Sequence, residues 1–150
     1  MKKLTVLIAA LAVVAAACGT SSTTSTTSVP SATSTTSAPA PAELNGAWTL
    51  VSVALKTQMI SVAEEFGAKI DFADGEFTGN GGCNSLFGSY TAAAGSITFE
   101  SVGMTEIGCP GAQKLEMTFV RILTNADSYS IDNGVLIIHS GTEELALRRS

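Results

Sequence analysis

The residues able to do chemistry are few. Among 150 residues there are three cysteines, Cys18, Cys83 and Cys109, and one histidine, His139. A structural zinc takes about four thiolate or imidazole ligands at close spacing. Cys83, Cys109 and His139 are only three, with no Cys-x-x-Cys among them, so no metal is expected. A cysteine nucleophile needs a base, and His139 falls at the end of a hydrophobic run where its ring points to water. The carboxylates are scattered. Glu64-Glu65 and Glu143-Glu144 are neighbours in sequence, so the members of each pair diverge and offer no general acid-base site. The run Gly79-Asn80-Gly81-Gly82 lacks the Lys-Ser/Thr of a phosphate loop and leads into a strand rather than a helix, so no helix dipole faces an anion. No cofactor is expected and the chain does not read as an enzyme; an uncharacterised hydrolase is the third reading.

The cysteines carry a different message. If Cys18 is lipidated, Cys83 and Cys109 form an even set in an exported domain, which favours a disulfide. Two buried thiols packed near one another are the alternative.

The address lies at the N-terminus. Met1-Lys2-Lys3 is a basic head, and Leu4 to Ala17 is an apolar run shorter than the roughly twenty residues of a membrane span. It reads as a signal peptide over residues 1–17. Val14-Ala15-Ala16-Ala17-Cys18-Gly19 resembles a bacterial lipobox, in which the cysteine takes the lipid and becomes the new N-terminus. Cleavage by ordinary signal peptidase, with Cys18 incidental, is the competing reading. Residues 18–42 are then the lipidated Cys18 and a Ser/Thr/Ala/Pro-rich tether without charge, too poor in apolar bulk to offset its ordering entropy. Its hydroxyls permit glycosylation. The expectation is an exported protein, lipid-anchored to the bacterial cell membrane or envelope, with the membrane as a partner through its N-terminal lipid.

Charge narrows the other partners. The formal net charge is −5, with eight basic and thirteen acidic residues. Removing Lys2 and Lys3 with the signal leaves six against thirteen, or about −7. Nucleic-acid binding works by cations displacing counterions from a polyanion, so nucleic acid is excluded as a partner.

The candidate residues must be positioned by the elements of residues 43–150. Ala47 to Ala54 reads as a strand, with Trp48 and Leu50 on one face and Trp48 a core anchor. Residues 56–67 have no strict period and read as a loop. Ala68 to Ala73 alternates, and Asp74-Gly75 is a two-residue hairpin turn into Glu76-Phe77-Thr78. Gly79 to Tyr90 follows. Glycines 79, 81 and 82 allow positive φ and close backbone approach, so the chain reverses there before a strand resumes at about Phe87. The surface this shapes, around Asn80, Asn84 and Ser85, either also meets a partner or is purely structural. Ser96 to Glu100 alternates again, and Pro110-Gly111 precedes the one convincing helix, residues 112–125, with Leu115, Phe119 and Ile122 at i, i+4 and i+7. Ser128 to Ile131, Val135 to His139 and Glu143 to Arg148 are further strands, joined at Asn133-Gly134 and Gly141-Thr142. About eight short strands and one inserted α-helix make a mainly β protein, a small antiparallel barrel-like meander. An open sheet with the helix on one face is the alternative.

Several of these residues together resemble a known family. Leu44-Asn45-Gly46-Ala47-Trp48-Thr49-Leu50, then Gly82-Cys83-Asn84 with Gly88-Ser89-Tyr90, then Met104-Thr105 with Cys109, then Glu116 with Phe119 and Leu123, resemble the META domain of HslJ-like bacterial lipoproteins in order and spacing. Glu106 stands where members often carry Arg. The resemblance implies a small β-barrel-like domain with an inserted helix and no established enzyme activity. It also implies links to stress tolerance, antibiotic resistance and secretion. On that footing Gly81, Gly82, Cys83, Asn84, Gly88, Tyr90, Trp48 and Thr105 form a structural motif. The expected function is a non-enzymatic, lipid-anchored module that binds an envelope protein or glycan. A lipocalin-like carrier of a small apolar ligand is the alternative, and a barrel interior filled by Trp48, Phe72 and Phe99 would remove it.

Overall fold

The computed structural model describes residues 40–150. Cys18, the expected signal peptide and all but the last three residues of the expected tether lie outside the described residues. Those three, Ala40 to Ala42, already belong to the domain: Ala40 packs on the core, and the Leu44 amide donates to the Pro41 carbonyl at 3.0 Å.

Nine strands and one α-helix follow in order. They are β1 (Gly46–Leu55), β2 (Gln58–Ser61), β3 (Lys69–Ala73), β4 (Glu76–Asn80), β5 (Ser85–Ala93), β6 (Ser96–Met104), α1 (Gln113–Thr124), β7 (Ser128–Asp132), β8 (Val135–Ser140) and β9 (Glu143–Arg149), with a 3-10 turn at Glu64–Phe66. The sheet runs β1-β3-β4-β5-β6-β7-β8-β9, every pair antiparallel, and closes because β9 pairs with β1 from Trp48↔Arg149 to Leu55↔Glu143. The result is a closed eight-stranded antiparallel barrel with β2 as an extra strand. Closure removes the free edges that an open sheet of this length would expose.

Residues 56–67 depart from the expected loop. β1 is longer than either neighbour on one side: its first half pairs with β3 (Gly46↔Phe72 to Thr49↔Lys69) and its second half with β2 (Ser52↔Ser61 to Leu55↔Gln58). All four β2 residues are exposed, Met59 by 73%. With no buried face there is no alternation to see, so the period-two signal fails for a strand fixed by backbone pairing alone.

The tight turns follow local chemistry. Asp74-Gly75, Ala94-Gly95 and Asn133-Gly134 all have positive φ at both positions, the conformation that matches the twist of a two-residue hairpin. These turns and the chain entry at Gly46 lie at one barrel end, whereas residues 81–84 and 105–112 lie at the other.

The seam between β6 and β7 is short, with Ser96↔Ser128 as its register. α1 packs on β6, β8 and β9 and covers this region, burying Phe119, Ile122 and Leu123. Inside the barrel Trp48, Phe72, Phe77, Leu86, Ile97, Leu136 and Ile138 are fully buried. Phe72 meets Tyr90 edge-on with centroids 4.8 Å apart, and Phe77 meets Phe99 at 5.2 Å, the geometry that ring quadrupoles favour.

Candidate functional site

The Gly-Cys-Asn stretch becomes the connection between β4 and β5, and its glycines act by two different routes. Gly82 has φ +109°, a conformation that side-chain-bearing residues rarely adopt. Gly79 and Gly81 do not have positive φ and are required by contact instead. A Cβ on Gly79 would meet the Lys69 carbonyl oxygen at 2.4 Å, and one on Gly81 would meet Glu116 Cγ at 2.8 Å.

Glu116 explains that close approach. It projects from the first turn of α1 into the space beside Gly81 and is 3% exposed; Asn84 is 2% exposed. The Asn84 amide donates to Glu116 Oε1 at 2.6 Å, and Asn84 Nδ2 donates to Oε2 at 2.8 Å. A buried carboxylate is tolerable only with such donors, since desolvation penalises its charge. The other side of Asn84 holds the chain after β6. Asn84 Oδ1 accepts from Thr105 Oγ1 at 2.8 Å and from the Ile107 amide at 2.7 Å, while Nδ2 also donates to the Ile107 carbonyl at 3.1 Å. Thr105 Oγ1 in turn accepts from the Ser85 amide at 3.2 Å. One side chain therefore joins the β4–β5 turn, the segment after β6 and the start of α1.

A covalent tie runs parallel to this network. Cys83 and Cys109 are joined as a disulfide with Cα atoms 6.0 Å apart and a separation of 26 in sequence. In the loop-entropy description a closure of that length stabilises a fold by about 3.5 kcal/mol.

The structure thus brings together Gly81, Gly82, Cys83, Asn84, Thr105 and Cys109, and adds Glu116. Sequence reading assigned Glu116 no role of its own. Its available signal was an acid at helical spacing from Phe119 and Leu123, on the buried side of α1. The remaining motif residues lie elsewhere. Gly88 sits where the β5–β6 register shifts, with space for no Cβ against the Phe77 ring at 2.7 Å. Tyr90 and Trp48 are core residues. Trp48 Nε1 donates to the Leu44 carbonyl at 2.8 Å, and the Arg149 guanidinium lies 4.5 Å above its ring. His139 Nδ1 lies 3.2 Å from Glu144 Oε1. Glu143 instead pairs with Arg121, so the two adjacent acids do diverge. That ion pair holds the Glu143 carboxyl below its usual range.

A second polar cluster escaped sequence reading because its members are far apart in the chain. The Tyr129 hydroxyl donates to Glu43 Oε1 at 2.8 Å, and Arg149 donates to the Glu43 and Asn45 carbonyls at 2.9 and 3.0 Å. Burial, and then the hydrogen bond to Glu43, push the Tyr129 phenol up to about 12. Among the described residues, no three His, Cys, Asp or Glu side chains converge as metal ligands. At the Asn84 joint the donors and acceptors are turned on one another, an arrangement suited to holding segments together.

Together, the closed antiparallel barrel, its single packed helix and the disulfide-tied joint define a small β-barrel domain with an inserted helix. The META domain family matches residues 42–150, and the chain belongs to that family. Three solved structures share the fold. A protein from Burkholderia xenovorans, solved by NMR, is 22% identical with a TM-score of 0.61, covering 72% of this chain and 84% of that one. A second NMR structure is 19% identical with a TM-score of 0.57, covering 71% and 90%. A DUF4847 family protein from Bacteroides vulgatus, a crystal structure, is 18% identical with a TM-score of 0.52, covering 71% and 94%. No curated protein matches the chain.

Proposed function

We propose that the chain is an exported, lipid-anchored protein of the bacterial envelope whose META barrel is a non-enzymatic interaction module for an envelope protein or glycan, acting in stress tolerance. One observation carries the reading: the polar groups of the motif satisfy one another in the interior, from Asn84 to Glu116, Thr105 and Ile107. Recognition then falls to the outer wall of a rigid barrel. Membership of the META family supports the module, and the sequence from Met1 to Cys18 supports export and lipidation. The interior filled by Trp48, Phe72 and Phe99 favours this reading over a lipocalin-like carrier, which needs that volume for its ligand.

Crosslinking in intact cells, followed by identification of what is captured, tests the proposal. The expected result is one envelope component enriched over abundant proteins. Capture of lipid and abundant proteins alone would remove the interaction reading. Turnover of an envelope substrate by the purified chain would remove the non-enzymatic part.

A further inference from the structure

Residues 40–150 carry six cationic side chains against thirteen acidic ones, a net of −7. In so acidic a domain three of the six cations share one depression of about 450 Å³ on the outer wall, lined by Thr49, Val51, Glu64, Lys69, Arg148 and Arg149. Register builds the grouping. Thr49 on β1 stands directly opposite Lys69 on β3 and opposite Arg148 on β9, so the backbones of the two cationic residues flank that of Thr49, about 9.5 Å apart across two strand spacings. Neither Lys69 nor Arg148 has an ion-pair partner among the described residues. Glu64 is the acidic side chain of the lining, and Asp71 lies two positions further along β3.

The patch also adjoins the point where the chain enters the domain. Arg149 holds the carbonyls of Glu43 and Asn45, and Thr49 lies three residues into β1. The covalent link to the N-terminal residues is therefore made beside the cations, about 10 Å away along the strand.

We propose that the Lys69–Thr49–Arg148 face is a phosphate-binding seat for the headgroups of an anionic membrane surface. Arg149 adds to its field while bracing the chain entry. The seat rests on the lipid-anchored reading above, since an anchor at Cys18 keeps the domain near a membrane surface at high effective concentration. Net charge enforces the orientation. An anionic surface repels a domain of −7 as a whole and attracts only the face on which cations outnumber acids. Lys supplies a point charge and Arg a forked donor pair to phosphate oxygens, on either side of the Thr49 hydroxyl, which is itself bonded to Ser150 Oγ at 2.6 Å.

The test is amine labelling of the full chain, inserted by its N-terminus into vesicles of phosphatidylcholine alone or with about one third phosphatidylglycerol. Lys56 and Lys114 serve as internal references. The seat predicts that Lys69 acetylation slows about fivefold relative to both on the anionic vesicles and not on the neutral ones. Salt at about 0.5 M, whose screening length is only a few ångströms, should abolish the protection. Arg148→Gln should weaken it. Equal labelling of Lys69 on both vesicles, or equal protection of Lys114, would overturn the seat. So would protection by millimolar inorganic phosphate in solution without any by anionic vesicles, which would assign the site to free phosphate. Flotation with neutral vesicles reads the anchoring separately. If it fails, the anchoring reading falls, and Lys69 protection on added anionic vesicles alone decides the seat.

Discussion

Asn84 carries more of the fold than any other polar side chain of the motif, because its backbone amide and side-chain nitrogen hold Glu116 of α1 while its side-chain oxygen and nitrogen hold Thr105 and Ile107 after β6. Asn84→Ala leaves the Glu116 carboxylate, the Ile107 amide and the Thr105 hydroxyl short of partners in the interior. The expected loss is about 3 kcal/mol of unfolding free energy, measured by denaturant titration. Glu116→Gln is the sharper variant, since both Glu116 oxygens accept and an amide would set a donor against one of Asn84's N–H groups. It should cost about 2 kcal/mol despite being isosteric. A Glu116→Gln protein as stable as the parent would mean that the carboxylate is not held as described. Tyr129 makes a different prediction, about pH. Its phenol ionises near 12 in the fold and near 10 when unfolded, so between those values the unfolded chain gives up a proton that the folded chain retains. The contribution is fully present below pH 10 and is lost as pH rises toward 12. Tyr129→Phe lacks this term, so any stability advantage of the parent over the variant should shrink across that window. A difference that stays constant with pH would contradict the shift.

At the scale of elements, the hairpins show where local sequence is enough and where it is not. Asp74-Gly75 and Asn133-Gly134 use residues that tolerate positive φ, whereas Ala94 holds φ 49° with a methyl group that gains nothing there. Ala94→Asn should therefore raise stability by about 0.5–1 kcal/mol, read as a shift in denaturant midpoint at unchanged slope. A destabilised variant would mean that the β5–β6 turn is fixed by its neighbours. The same contrast explains what was legible. The barrel meander, the hairpin turns and α1 could be read because each depends on alternation, turn chemistry or helical period within a short window. β2 could not be read, because its four exposed residues have no buried face. The closing β1–β9 pairing joins residues about a hundred positions apart, and the bond from Asn84 to Glu116 spans 32; neither leaves a periodic trace. Sequence reading thus found the Gly-Cys-Asn joint from its composition and gave no role to the acid that completes it, Glu116.

For the whole molecule, a filled and closed barrel makes the attachment of the chain as informative as its interior. The residues at the entry to the barrel are clamped: Leu44 is fully buried and its carbonyl accepts from Trp48, while Arg149 holds the carbonyls on either side. A pull on the N-terminal segment is thus transmitted to the core strand β1 and to β9 rather than to a frayed end. Such a clamp suits a domain tethered at that point, and the tether reading depends on Cys18. Cys18→Ala removes the thiol that would carry lipid while leaving every described residue of the barrel unchanged. The expected outcome is a chain that moves from the membrane to the soluble fraction of cells, with the same unfolding midpoint as the parent. Mass analysis of the N-terminal peptide should show acyl groups in the parent alone. If the variant stays in the membrane fraction and the parent peptide carries no acyl mass, Cys18 is not the anchor. Retention would then have to come from the apolar run of residues 4–17, a segment shorter than the roughly twenty residues that span a bilayer comfortably.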